Sequence, residues 1–185
     1  DNWKVFNKTY TFKAKKEHLS WLKSFNKNIL VNLANNHIWD YWEEGILNTF
    51  ENLDDYEIKY FWAGKNKSEA DSIKILELEN LKIWFIWQVC IWPNSYEAGY
   101  NRAWSSFLDK EVIKNEIKKW RELWADIIVY NMHCWDEYTN WPNAIQKEYA
   151  HFVIDNWVDL VIWHHPHRYQ PIEIYKDKLI FYSLW

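Results

Sequence analysis

The run LVIWHHPHRYQ, Leu160 to Gln170, ends an apolar stretch and then sets His164, His165 and His167 within four residues. Imidazoles this close suit metal binding or proton transfer, because the neutral ring is both a ligand and a base near neutral pH. Two further polar clusters share this setting. Asn35, Asn36 and His37 follow the apolar run NILVNL, and His133 follows DIIVYNM with Glu137 nearby. In an open α/β sheet, strand C-terminal ends line one edge, so three clusters distant in sequence are expected to converge in one crevice.

The H-x-H of His165 and His167 lets two imidazoles reach two neighbouring divalent ions. Such a pair polarises a phosphoryl oxygen and generates hydroxide from bound water at neutral pH. A histidine left off the ions protonates the leaving group, and His37 is the candidate. Plainer readings stand beside these. An Asn-Asn-His turn is also an ordinary capped loop, and His133 alone is an ordinary histidine. His18 and His151 lie in helical patterns and read as surface or packing residues. Glu137, Glu173 and Asp40 either orient ligand histidines from behind or are exposed loop carboxylates.

The elements that must position these residues are legible from periodicity. HLSWLKSF (18–25) has a short helical pattern, and NILVNL (28–33) reads as a strand. WEEGILNTFENL (42–53) puts Ile46, Phe50 and Leu53 on one helical face, and IKYFWAG is a second strand ending in a turn. Residues 73–78 and 81–88 form a predicted hairpin through Glu79 and Asn80. A polar, aromatic loop runs on to about Phe107. Asp109 is a candidate N-cap for a helix through Trp124, with Ile113, Ile117, Trp120 and Trp124 on one face. DIIVYNM reads as a buried strand, and Pro142 opens a helix carrying Ile145, Tyr149, Phe152 and Val153. VDLVIW is another buried strand, and IEIYKDKLIFYSL a hairpin turning at Lys176 to Lys178. Alternating strands and helices predict a layered α/β fold.

Composition narrows the function classes. The 185 residues suffice for one domain with a substantial core, and the formal charge of −4 comes from interspersed acids and bases. With no basic stripe, nucleic acid is excluded as the main partner, which leaves small-molecule or polymer chemistry. Cys90 and Cys134 are too few for a disulfide framework, so they read as packed thiols that fix no redox compartment. The most apolar window, LKIWFIWQVCIW, is broken by Lys82 and Gln88 before the roughly 20 residues that a bilayer span needs. The chain starts at Asp1 without methionine and stops inside the run KLIFYSLW, so it reads as a fragment. Most unusual are 16 tryptophans against 3 glycines, where average usage implies about 13 glycines.

Taken in order, LANNHIWDYWEEG, HCWDEY, IWHHPHRYQPIE and IFYSLW resemble the successive signatures of the CapA-type capsule and poly-γ-glutamate synthesis family, a branch of the calcineurin-like metallophosphoesterases. The resemblance covers nearly the whole chain. It implies a metallophosphoesterase-like α/β sandwich, here incomplete, over residues 1–185 as one partial domain. It implies Asn36, His133, His165 and His167 as metal ligands, with His164 able to take the place of His165, and His37 as catalytic acid. Two divalent ions, of Mn, Fe or Zn type, follow for the full-length protein. The family's first two metal motifs, one Gly-Asp and one Asn-Leu-Glu, lie upstream of Asp1 in this reading, so the isolated fragment is expected to bind metal weakly and turn over little substrate. The implied substrate is a phosphoester or a polyanionic polymer, within a membrane polymer-synthesis complex at the cell envelope or extracellular face. A non-catalytic scaffold of that assembly is the alternative. An aromatic carbohydrate-binding module would use the tryptophans as stacking platforms.

The family pattern has glycine where this chain has Trp42, Trp62, Trp87, Trp135, Trp157, Trp163 and Trp185. These tryptophans read as glycines of the natural protein, encoded by UGA in a code where that triplet means glycine; other codons at these positions would refute the reading. Genuine tryptophans at 42, 135 and 163 are expected to crowd all three polar loops.

Overall fold

The computed structural model describes residues 4–25, 29–61, 63–66, 69, 74–89, 104–105, 110–134 and 136–184. In chain order the elements are α1 (His18–Phe25), β1 (Leu30–Asn32), α2 (Trp42–Asp55), β2 (Lys59–Phe61), β3 (Ala63–Gly64), β4 (Lys74–Leu78), β5 (Leu81–Val89), β6 (Trp104–Ser105), α3 (Lys110–Glu122), β7 (Ile127–His133), α4 (Ala144–Asp155), β8 (Leu160–His164), β9 (Ile172–Tyr175) and β10 (Lys178–Phe181). The chain divides into two compact units, Asp1–Ser72 with Pro93–Ser106, and Ile73–Trp92 with Phe107–Trp185.

In the first unit, β1 and β2 pair in parallel through the crossover helix α2. The spacing that predicted this helix is the spacing that buries it: Ile46, Phe50 and Leu53 are all buried. Ile46 and Phe50 cluster with Trp39 and Ala63, and Tyr60 stacks on Phe50 at 5.0 Å between ring centroids. Burial of such side chains is worth roughly 1.5–3 kcal/mol each and fixes the loop between β1 and α2 against the core.

The second unit is a six-stranded mixed sheet of order β4-β5-β7-β8-β10-β9. The four central strands run parallel, and β4 and β9 are antiparallel edges. The connection from β5 to β7 passes through β6 and then α3, and α4 connects β7 to β8, the helical crossovers that parallel pairing requires. Ile128, Val129, Tyr130, Asn131 and Met132 are all buried, as a strand covered on both faces must be. Lys176 and Asp177 form the last turn with φ of 48° and 61°, the left-handed pair that matches a two-residue hairpin to the sheet twist. Asp159 ties the layers together. It accepts from Ile128 N at 2.9 Å, Lys178 Nζ at 2.6 Å and the Arg121 guanidinium. Burial pushes its carboxyl up, but these hydrogen bonds outweigh burial and hold its pKa below the ordinary value.

Several expectations need correction. Helix α4 begins at Ala144, capped by Asn143 in a reciprocal capping box with Gln146, rather than at Pro142. Its buried face is Gln146, Ala150, Val153 and Ile154, while Ile145 is exposed. The polar Gln146 goes inside because its amide donates to Gln170 Oε1 at 3.2 Å. Cys134 is not a packed thiol but disulfide-bonded; Cys90 lies outside the described residues, as does the candidate N-cap Asp109. Trp124 leaves the apolar face of α3, lying past the helix end, 83% exposed, at φ 64°.

Tryptophan also stands at φ 57° at position 42 and φ 74° at position 157. Both are positions where the resemblance implies glycine, and a Cβ there costs roughly 1–2 kcal/mol. At Trp157 the backbone closes α4 with Trp157 N on Ile154 O and Val158 N on Val153 O, the reversed hydrogen bonding of a helix end that favours glycine. Its side chain is 63% exposed and contributes little burial. Trp157→Gly is therefore expected to raise stability by about 1 kcal/mol, several degrees in Tm, by thermal denaturation. An unchanged or lowered Tm would remove the conformational case for glycine at this position.

Candidate functional site

The loop after β1 builds its own frame from short side chains. Asn32 Oδ1 accepts from Ala34 N at 2.8 Å and Asn35 Oδ1 from His37 N at 2.9 Å, so the chain turns tightly and presents Asn36 and His37. Asp40, 1% exposed, sits behind His37 with its Oδ2 2.8 Å from Nδ1. The same carboxylate accepts from Phe12 N at 2.7 Å and pairs with Lys8 Nζ at 2.5 Å. Lys8 also donates to Asn36 O at 2.8 Å. A carboxylate facing Nδ1 keeps the proton there in the neutral ring, which directs Nε2 away from Asp40 for exchange with a ligand. Phe12 meets the ring edge-on at 4.5 Å. Asp40 is thus a buried partner of His37, where the sequence left an exposed loop carboxylate equally open.

In the second unit, parallel registry sets His133 opposite His164 at the C-terminal ends of β7 and β8. The next turn of chain carries His165 at φ 99° and His167 at φ 51°. Tyr138 N donates to Pro166 O at 2.7 Å, which draws the loop after β7 to the histidine loop and brings Glu137 with it. The ligand atoms of Glu137, His165 and His167 all lie within 4.8 Å of one another, and Glu137 Oε1 is 3.6 Å from His165 Nε2. His133 joins this edge with its ring 5.0 Å from that of His165. His164 turns elsewhere and stacks on Trp87 at 5.0 Å. Burial pushes the His164 imidazole below its ordinary pKa, which favours the neutral ring.

Two imidazoles and one carboxylate are a donor set for a borderline divalent ion such as Zn, Fe or Mn, with open positions left for water or substrate. The residues fit the metal that the sequence implied. Glu137 stands among the candidate ligands themselves rather than behind them. Glu173, by contrast, is bonded to His151 Nε2 at 2.8 Å and Tyr182 Oη at 2.6 Å, so it orients none of the ligand candidates. His18 is exposed and His151 stacks on Tyr175, the surface and packing roles expected of them. His37 belongs to the first unit and the histidine group to the second. The side chain of Trp163 is fully buried within β8 and donates to Cys134 O at 3.3 Å. Trp62, Trp135 and Trp185 lie outside the described residues.

Comparison with known proteins decides the family. The model of the family described as "Bacterial capsule synthesis protein PGA_cap" matches residues 1–184. The chain belongs to this family. It is 28% identical over 186 residues to the "Capsule biosynthesis protein CapA" of Bacillus anthracis, covering 99% of this chain and 45% of the relative. It is 30% identical over 184 residues to the "PGA biosynthesis protein CapA" of Bacillus subtilis, covering 99% of this chain and 48% of the relative. The PGA_cap chain thus spans about half the length of these curated relatives. Its fold is similar to that of the Haemophilus influenzae NAD nucleotidase, with a TM-score of 0.58 at 12% identity, covering 91% of this chain and 35% of the other. The fold is therefore metallophosphoesterase-like α/β. No described helix of this family member is long and apolar enough to cross a membrane.

Proposed function

We propose that this PGA_cap chain is one partial metallophosphoesterase-like domain of a metal-dependent phosphoesterase-type hydrolase serving capsule or poly-γ-glutamate synthesis. The observation that carries the reading is the convergence of Glu137, His165 and His167 beyond parallel strand ends. His133 lies beside that group and is the further ligand the resemblance offers there, with His164 the alternative to His165, and Asn36 is the ligand it offers in the first unit. Divalent ions bound there would polarise a phosphoryl oxygen and acidify water. This chain's own residues do the rest. Asp40 holds His37 by Nδ1, Lys8 neutralises the buried carboxylate, and the doubly protonated His37 gives its Nε2 proton to the departing oxygen, leaving the neutral ring with its proton on Nδ1. The substrate is a phosphoester or an anionic polymer, and the site of action is the outer face of the cell envelope, within a polymer-synthesis complex.

The test uses the protein at its natural length and a panel of phosphoesters. Hydrolysis is expected to vanish with a chelator and return with Mn, Fe or Zn. Full metal occupancy with no hydrolysis of any phosphoester would leave the chain as a scaffold of the assembly.

A further inference from the structure

A cavity of about 300 Å³ opens against His37 and is built wholly from the first unit. One wall is the strap Phe12–Lys16 that precedes α1, and the other is the face of α2 that carries Asn48 and Asn52. Its charge is one-sided. Lys13, Lys15 and Lys16 line it and no carboxylate among the described residues does, in a chain whose formal charge is −4. The side chains of Lys15 and Lys16 make no ion pair among the described residues. Asn52 Nδ2 donates to Asn48 Oδ1 at 2.9 Å, an amide pair on the α2 wall that leaves further donors and acceptors for a ligand. Leu19, Leu33 and Ile38 give the inner part an apolar surface. A second cavity of about 570 Å³ continues along the same lysines past Glu17, so an occupant can be an extended chain as well as a compact group.

We propose that this cavity, bounded by Lys13, Lys15, Lys16, Asn48 and Asn52, is a recognition site for an anionic group, carboxylate or phosphate, on the leaving-group side of the substrate. The placement rests on the reading of His37 as the proton donor, since a leaving group must lie against the acid that protonates it. Three ammonium groups over a partly apolar recess attract a carboxylate or phosphate before the reacting bond is aligned. Neutral leaving groups gain nothing from them.

Binding is measured by calorimetry on the natural-length protein stripped of metal, so that the metal centre does not compete for anions and turnover plays no part. The probes are γ-linked triglutamate and inorganic phosphate. The Lys15→Ala/Lys16→Ala double variant is expected to weaken binding of the preferred probe at least about tenfold and flatten its salt dependence, while Lys15→Arg/Lys16→Arg retains binding. Lys118→Ala, which removes an exposed lysine of α3 that pairs with Glu122 at 4.0 Å, is expected to change nothing. Preference for triglutamate assigns the site to polymer carboxylates, and preference for phosphate to a phosphorylated leaving group. Binding of neither probe, or equal loss in the Lys118 control, overturns the proposal. Failure of the hydrolase reading would appear separately, as intact anion binding in a protein that hydrolyses no phosphoester.

Discussion

Replacing His165 with asparagine is expected to lower divalent-metal affinity at least about a hundredfold in the natural-length protein, more than the loss that follows from disturbing a residue behind a ligand. The imidazole is 6% exposed and its Nε2 faces Glu137 Oε1 at 3.6 Å, so it is held toward the carboxylate that would share the ion. Asparagine is chosen because His165 has φ 99°, a conformation that penalises alanine and confuses loss of a ligand with strain. Metal stoichiometry by elemental analysis and affinity by calorimetry read the effect, with circular dichroism checking the fold. His164→Ala is the comparison. His164 stacks on Trp87 rather than converging with Glu137 and His167, so its loss is expected to cost less. A larger loss for His164 would shift the ligand register by one residue and sink the assignment of His165.

His37→Ala is expected to lower kcat on phosphoesters about 10²- to 10⁴-fold, the usual worth of a positioned proton donor, with metal content unchanged. The pH profile separates chemistry from structure: the wild type's dependence on a protonated group is expected to disappear in His37→Ala. Leaving groups that need no proton are expected to lose least. Asp40→Asn keeps the side chain's shape but removes the charge that faces His37 Nδ1 and Lys8 Nζ. It is expected to fall between wild type and His37→Ala in kcat. An unchanged kcat in His37→Ala would take the proton from another donor and remove the leaving-group argument for the lysine-lined cavity.

Much of the frame is legible in the sequence because local rules and global packing agree. The 3.6-residue spacing of Ile46, Phe50 and Leu53 is both a helix signal and the face that α2 buries. The run from Ile127 to Met132 admits only a strand covered on both sides, and it forms the middle of the sheet. Polar residues that directly follow such strands stand out as site candidates from their chain position alone. Where sequence reasoning fails, a partner far along the chain or the end of a helix decides. Gln146 is buried although polar because Gln170 reaches its amide from 24 residues away. The apolar periodicity of α3 extends naturally to Trp124, but the helix ends before it with Trp124 N on Arg121 O.

The amino-acid sequence by itself determined the family, the order of the helices and of the strands of the six-stranded sheet, and the histidines and asparagines offered for chemistry, because these depend on residue type and short-range spacing. Only the tertiary structure decided which carboxylates lie beside them. Glu137 and Asp40 are interchangeable loop acids until the contact of Tyr138 with Pro166 draws one to His165 and the burial of Asp40 sets the other behind His37. It likewise separated Trp163, which the core accepts, from Trp157, whose backbone takes a conformation natural to glycine. Backbone dihedrals and long-range contacts are properties of the folded chain, and neither is written in local periodicity.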